Sequence, residues 1–296
     1  LITKIISFLI LIFLGFFLKK IKFLNEGDGE LLRKILFNVS LPSLVMYSIL
    51  SSNFTRDFYQ IFFIVPTTMI IQFLISFFLS SVFFKDKKEV ATLILISVMG
   101  NTAFLGYPLV ELFFTSKNLP YGIFYDQVHF YTFLILIFPL LTYISKSEKS
   151  GLKNSFITPP VIAFLISLLL KNFILPNILF ESLNILKQSV TPLVLLYLGV
   201  NLDLNISKKD LSYLILVIFL KLILLPYITL YISNLFKANL MVKNVSLLQS
   251  MMPTMMATII FGSQIGLNKK IIAKAVGITT IVSSITITIL SKALIG

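Results

Sequence analysis

The chain has 296 residues, 57% hydrophobic and only 12% charged, with a mean hydropathy of +0.97 and a formal net charge of +13. A soluble domain carries about 25% charged residues, so the composition excludes an ordinary soluble protein and points to one whose surface meets lipid. The lack of Cys excludes disulfides, thiolate nucleophiles and Cys-based metal centres, and the single His129 excludes the paired histidines of a metalloprotease helix.

Ten apolar segments follow in order, each bounded by charges, Gly or Pro, and each reads as a membrane-spanning helix. Span 1, residues 3–18, has no small-x-small cleavage site and ends at Lys19 and Lys20, so a retained helix is expected rather than a signal peptide. Span 2 (31–50) carries Pro42 and span 3 (58–84) carries Pro66. Span 4 (89–115) contains Met-Gly-Asn-Thr-Ala-Phe-Leu-Gly-Tyr-Pro at residues 99–108. Gly100 and Gly106 weaken a helix, and Pro108 has no N–H for the carbonyl of Phe104. A break in mid-span is therefore predicted, with the polar side chains of Asn101 and Thr102 at its level and Glu111 just beyond.

Span 5 (120–145) brings Asp126, Gln127 and His129 into its first half, with His129 three residues from Asp126 on one helical face. Span 6 covers 156–171, span 7 covers 182–203 with Pro192 and a closing Asp203, and span 8 covers 210–235 with Lys221 and Pro226. In span 9 (240–265) Pro253 frees the carbonyl of Gln249, with Ser250, Met251 and Thr254 alongside; span 10 covers 270–295. Ionisable groups inside a membrane mark ion or proton pathways. Asp126 with Gln127 is the best candidate for a coupling or support site, and Lys221 is expected to snorkel along its stem to the surface.

Sixteen of the 25 Lys and Arg fall in loops that follow odd-numbered spans and eight on the opposite side, with Lys221 counted as intramembrane. By the positive-inside rule both termini lie outside and the loop at 146–155 is cytoplasmic, so the net charge reports orientation rather than nucleic-acid binding. The prolines also pair across the chain. "VSLPSLVMYS" resembles "SVTPLVLLYL" 150 residues on, "FIVPTTM" resembles "ILLPYIT" 160 residues on, and the break around Pro108 corresponds to that around Pro253. Five spans is an odd number, so a duplicated unit enters the bilayer inverted, with residues 1–146 and 156–296 as the two repeats joined by a loop at 147–155. If the two breaks cross, half-helix N-termini converge near the midplane and favour an anion there.

These residues resemble a known family. "GFFLKKIKFLNEGDGELLRKILFNVSLPSLVMYSI", "GNTAFLGYPLVELFF", "YDQV", "YLGVNL" and "MMPTMMATIIFGSQIG" are similar to successive stretches of the auxin efflux carrier family, nearly end to end. The resemblance implies an all-α polytopic membrane protein of ten helices in two inverted repeats of five, with crossed, broken helices 4 and 9, a sodium/proton antiporter-like fold of elevator type. It implies a scaffold of helices 1, 2, 6 and 7, through which two copies would pair, and a transport domain of helices 3–5 and 8–10. Members move organic anions such as auxin, malate and malonate, and the short loop after helix 5 looks like a prokaryotic member, set in the cell inner membrane. By resemblance Asn101, Pro108 and Pro253 fall at the crossing and Asp126 with Gln127 near a support site. Met252 departs from the pattern, since plant carriers place Asn before that proline, which weakens auxin as the substrate.

The reading is a secondary transporter of small organic anions, without metal or organic cofactor and with a proton or sodium ion as the candidate coupling ion. The carboxylate is assigned to Asn101, Thr102, Gly106, Pro108, Ser250, Met251, Pro253 and Thr254, and coupling or support to Asp126, Gln127, His129 and Glu111. The apolar remainder is expected against Met251, Met255 or Phe104. A symporter or exchanger of another substrate on the same fold and a non-transporting membrane sensor stay open. No His-Glu-x-x-His or Gly-x-Gly-Asp motif supports an intramembrane enzyme.

Overall fold

The computed structural model describes residues 2–52, 56–147, 156–202, 206–207 and 210–294. Asp203 and residues 148–155 of the expected cytoplasmic loop lie outside them. The described residues are helical, and their only extended pairing is one isolated bridge.

Helix ends and bends follow from local chemistry. α1 (Ile2–Lys20) places Lys19 and Lys20 in its last turn, where cations suit the negative end of the helix dipole. α2 (Glu26–Ile35) starts from a capping box: the Asn25 side chain accepts from the N–H of Gly27 and Asp28, and the Asp28 carboxylate accepts from the N–H of Asn25 at 2.8 Å. It continues through a π-helical stretch, Leu36–Ser40, into α3 (Leu41–Leu50). The same device recurs twice. Phe133–Ile137 joins α7 (Leu119–Thr132) to α8 (Phe138–Ile144), and Phe219–Leu224 joins α12 (Leu211–Ile218) to α13 (Leu225–Leu235). Each stretch ends two residues before a proline, Pro42, Pro139 or Pro226. A widened turn absorbs the ring and the missing N–H without ending the helix.

Among the described residues, five continuous helices are long and apolar enough to cross a membrane: Arg56–Phe83, Ser116–Ile144, Asn177–Val200, Leu211–Leu235 and Lys269–Lys292. The other expected spans are represented by shorter or more polar helices. Spans 4 and 9 are each interrupted, giving α5 (Lys87–Val98) with α6 (Gly106–Phe114), and α14 (Leu240–Ser250) with α15 (Thr258–Gln264). Large apolar side chains are exposed along the helices, among them Phe13, Phe62, Phe78, Leu169 and Ile178. So much exposed apolar surface suits hydrocarbon and not water.

The chain divides into two compact units. One comprises residues 1–55, 107–123 and 157–202. Within it α1 crosses α11 (Val190–Val200) at two glycines, where a Cβ on Gly15 would stand 2.3 Å from the Leu196 carbonyl oxygen and one on Gly199 2.0 Å from that of Ile12. Only glycine allows this approach, the usual way for helices to pack where the hydrophobic effect does not drive them together. α3 lies against α9 (Pro159–Leu170) and α10 (Asn177–Gln188), and Lys171 Nζ closes the end of α3 by donating to the Ile49 carbonyl at 2.8 Å.

The other unit comprises residues 56–106, 124–156 and 203–296. Here α4 (Ile61–Phe83) packs against α5 and α13, and α16 (Lys269–Leu294) against α5, α12 and α15. Phe261 is ringed by Phe130, Phe133 and Phe138 at centroid distances of 5.0–6.3 Å, an aromatic knot that fixes α15 to α7, α8 and the stretch between them.

Candidate functional site

α5 ends because Met99 is extended (φ −79°, ψ 118°) and Gly100 follows. The chain stays out of regular helix until Gly106, and in the same unit α14 stops at Ser250 ahead of Pro253. These interrupted segments meet. Gly100 and Thr254 form an antiparallel bridge, Asn101 N–H donates to the Pro253 carbonyl at 2.8 Å, and Met255 N–H donates to the Met99 carbonyl at 3.1 Å. Backbone groups that a helix would have satisfied thus satisfy one another, as a low-dielectric interior requires.

The end of α5 has further partners. The Ile96 carbonyl accepts from Thr254 Oγ1 at 2.7 Å, and the Val98 carbonyl accepts from Lys221 Nζ at 3.2 Å and lies 3.4 Å from His129 Nε2. Thr254 N–H donates to Thr279 Oγ1 at 3.1 Å, tying the crossing to α16. Side chains from three other segments, Lys221, His129 and Thr279, therefore hold the two interruptions in place.

Asn101 is 3% exposed, its carbonyl accepts from the N–H of Leu105 and Gly106, and its Nδ2 is buried without a hydrogen-bond partner among the described residues. Such a donor is expensive to bury unless something accepts from it in the working state. Thr102 Oγ1 donates to Asp126 Oδ1 at 2.5 Å, Gln127 Nε2 donates to Asp126 Oδ2 at 3.3 Å, and Gln127 Oε1 is a second buried atom without a partner. Gly106 is where the buried Gln249 side chain fits: a Cβ there would stand 2.1 Å from Gln249 Oε1.

Asn101, Thr102, Gly106, Pro253, Thr254, Asp126, Gln127 and His129 are thus gathered in one unit around the crossing, with different tasks. The hydroxyls of Ser250 and Thr254 are engaged by carbonyls, Ser250 Oγ donating to Leu247 at 2.6 Å. Met251 is fully buried, whereas Phe104 and Met255 are half-buried. His129 stacks on Tyr125 with ring centroids 6.0 Å apart, in keeping with a packed, hydrogen-bonded ring. Pro108 lies in the first turn of α6, where an N–H has no helical partner to lose, so it starts the second half-helix and the glycines interrupt the span. Glu111 belongs to the other unit, paired with Lys187 Nζ at 2.9 Å.

Two residues take a larger part than the sequence suggested. Lys221 does not snorkel; it is 1% exposed, with its ammonium on the crossing. The signal was its depth: eleven residues into an apolar helix is about 16 Å from that end, beyond the reach of a lysine stem. The sequence marks Gln249 only through the carbonyl that Pro253 frees, yet its amide fills the space that Gly106 leaves.

Known proteins with a similar sequence give this geometry a family. An uncharacterized transporter of Methanocaldococcus jannaschii is 30% identical over 289 residues, 94% of each chain. An uncharacterized transporter of Methanothermobacter thermautotrophicus is 27% identical over 294 residues, 98% of this chain and 97% of its own. A family model described as membrane transport protein matches residues 1–153 and 143–291. The chain belongs to that membrane transport protein family, the auxin efflux carrier-like group that its motifs resemble.

Proposed function

We propose that this transporter carries small organic anions, carboxylates of the malate, malonate or auxin-like kind, and that it holds them at the crossing of the two interrupted segments. The observation that carries the reading is the Asn101 Nδ2 donor, buried and without a partner beside the Gly100–Thr254 bridge. An N–H donor paired with a carboxylate oxygen makes a charge-assisted bond, and the half-buried Phe104 and Met255 offer apolar contact to the remainder of the anion. The Asn101 backbone N–H is already used by Pro253, so the side chain is the donor to the substrate.

In this reading the ten spans form two inverted repeats of five, and an elevator motion of the unit that holds the crossing gives alternating access. Helices 1, 2, 6 and 7 fall in the other unit, which also takes residues 107–123 of spans 4 and 5; the scaffold and the homodimer contact are assigned to those four helices. The membrane is the cell inner membrane, with both termini outside. The test is binding of malonate, malate and indole-3-acetate to purified protein by thermal shift. Asn101→Ala should weaken binding about tenfold, the loss of one hydrogen bond to a charged group, with the unfolding midpoint of the free protein little changed. Unchanged affinity would remove Asn101 from the site.

Asp126 supports coupling to a proton or sodium ion, because its carboxylate accepts from Thr102 within the same interruption. Uptake into proteoliposomes should lose its dependence on an imposed pH or sodium gradient in Asp126→Asn. Retained dependence on both gradients would exclude Asp126 from coupling, and a wild type that moves none of the anions would favour a sensor.

A further inference from the structure

Lys221 is a cation where a membrane protein has least reason to keep one. It is 1% exposed in the middle of α12–α13, and a buried ammonium is tolerated only where something local compensates it. Its surroundings are specific. The π-helical stretch Phe219–Leu224 contains it, and the adjacent Leu220 carbonyl accepts from Gln72 Nε2 at 2.9 Å, which anchors that turn. Nζ donates to the carbonyl of Val98, the last residue of α5. Gly100 makes room: a Cβ there would stand 3.0 Å from Nζ and 3.6 Å from Cε.

The Val98 carbonyl is the negative end of a half-helix that stops inside the membrane. Carbonyls of this kind, at unwound points of broken helices, are where secondary transporters coordinate a coupling sodium ion. Here an ammonium carried by the chain itself donates to that carbonyl. Two residues beyond Gly100, Thr102 donates to Asp126, so one built-in cation and one carboxylate both engage the same short interruption.

We infer that the Lys221 ammonium stands in for a coupling sodium ion at the end of α5, supplying the positive charge at the crossing so that anion binding does not require sodium. The inference rests on the organic-anion reading above and deepens it. A sodium ion brought to the Val98 carbonyl would meet a like charge at contact distance and a site already filled. An anion held by Asn101 gains the field of a cation fixed close by, without waiting for a second ligand.

The experiment measures thermal-shift affinities of purified wild type for malonate, malate and indole-3-acetate in sodium chloride and in choline chloride of equal ionic strength. Equal affinity in the two salts is expected. Lys221→Met, which keeps the apolar stem, should bind the same anion about tenfold more weakly in choline, the scale of one lost charged contact. Wild-type binding that needs sodium would overturn the inference, and so would Lys221→Met binding as tightly as wild type in choline. The wild-type comparison needs no variant and decides even if Lys221→Met does not fold. Binding that needs sodium leaves the anion reading intact, whereas no binding of any of the three anions in either salt overturns that reading and this inference together.

Discussion

Gly106 and Gln249 show how little room single residues leave at the crossing. The Gln249 amide occupies the place of a side chain at Gly106, with three of its atoms within 3.0 Å of where a Cβ would be. Gly106→Ala must push a fully buried amide aside. The expected outcome is a loss of about 1–3 kcal/mol in stability, read as a lower unfolding midpoint, together with impaired anion uptake. A variant with unchanged midpoint and uptake would mean that the Gln249 amide is free to move. Asn101 shows the converse. Its backbone is engaged by Pro253 while its Nδ2 is held in reserve, so removing the side chain should touch binding more than folding.

At the scale of elements, what was legible in the sequence depended on whether the signal was local. Interruptions at Gly100 and Pro253 follow from glycine and proline inside apolar runs, and both were expected. Which group interrupts the helix was not, because Pro108 reads as a breaker until α6 is seen to begin at Gly106. The three π-helical stretches before Pro42, Pro139 and Pro226 were equally out of reach, since kinking and widening remove the same steric clash. The place of Lys221 depends on long-range packing, because its carbonyl partner lies 123 residues away. Another long-range tie has a pH signature. Asp210, just ahead of α12, accepts from Lys274 Nζ of α16 at 2.6 Å and from the hydroxyl and N–H of Ser207. The Lys274 ammonium first, then Ser207, holds its carboxyl down from 3.8 to about 2. A depressed carboxylate stabilises the fold fully above its unfolded value, and that contribution is lost as pH falls through the folded one. The difference in unfolding midpoint between wild type and Asp210→Asn should therefore hold steady above about pH 4 and disappear towards about pH 2. A difference that stays constant down to pH 2 would show that the Asp210 charge is not its source.

For the whole molecule, the distribution of basic residues sets the expected direction in the membrane. Sixteen Lys and Arg against eight is a twofold bias, and the direction it gives holds only while every one of the ten spans crosses. The interrupted spans are the danger. α5 and α6 are too short to cross singly and count as one crossing only if the chain continues through its break, and α14 with α15 poses the same question. Counting each pair as one span puts the turn after α1 on the cytoplasmic side and the turn after α6 outside. The chain has no Cys, so single cysteines report their side without background labelling. Phe23 in the first turn is 72% exposed, and Ser116 in the second is exposed and uncharged, so neither substitution alters the charge bias. In intact cells a membrane-impermeant maleimide should label Ser116→Cys at once and Phe23→Cys only after permeabilisation. The reverse pattern would turn the molecule over while keeping its crossings. Labelling of both from outside would mean that one of the three spans between them does not cross, and with that the inverted pairing of the two halves would fail.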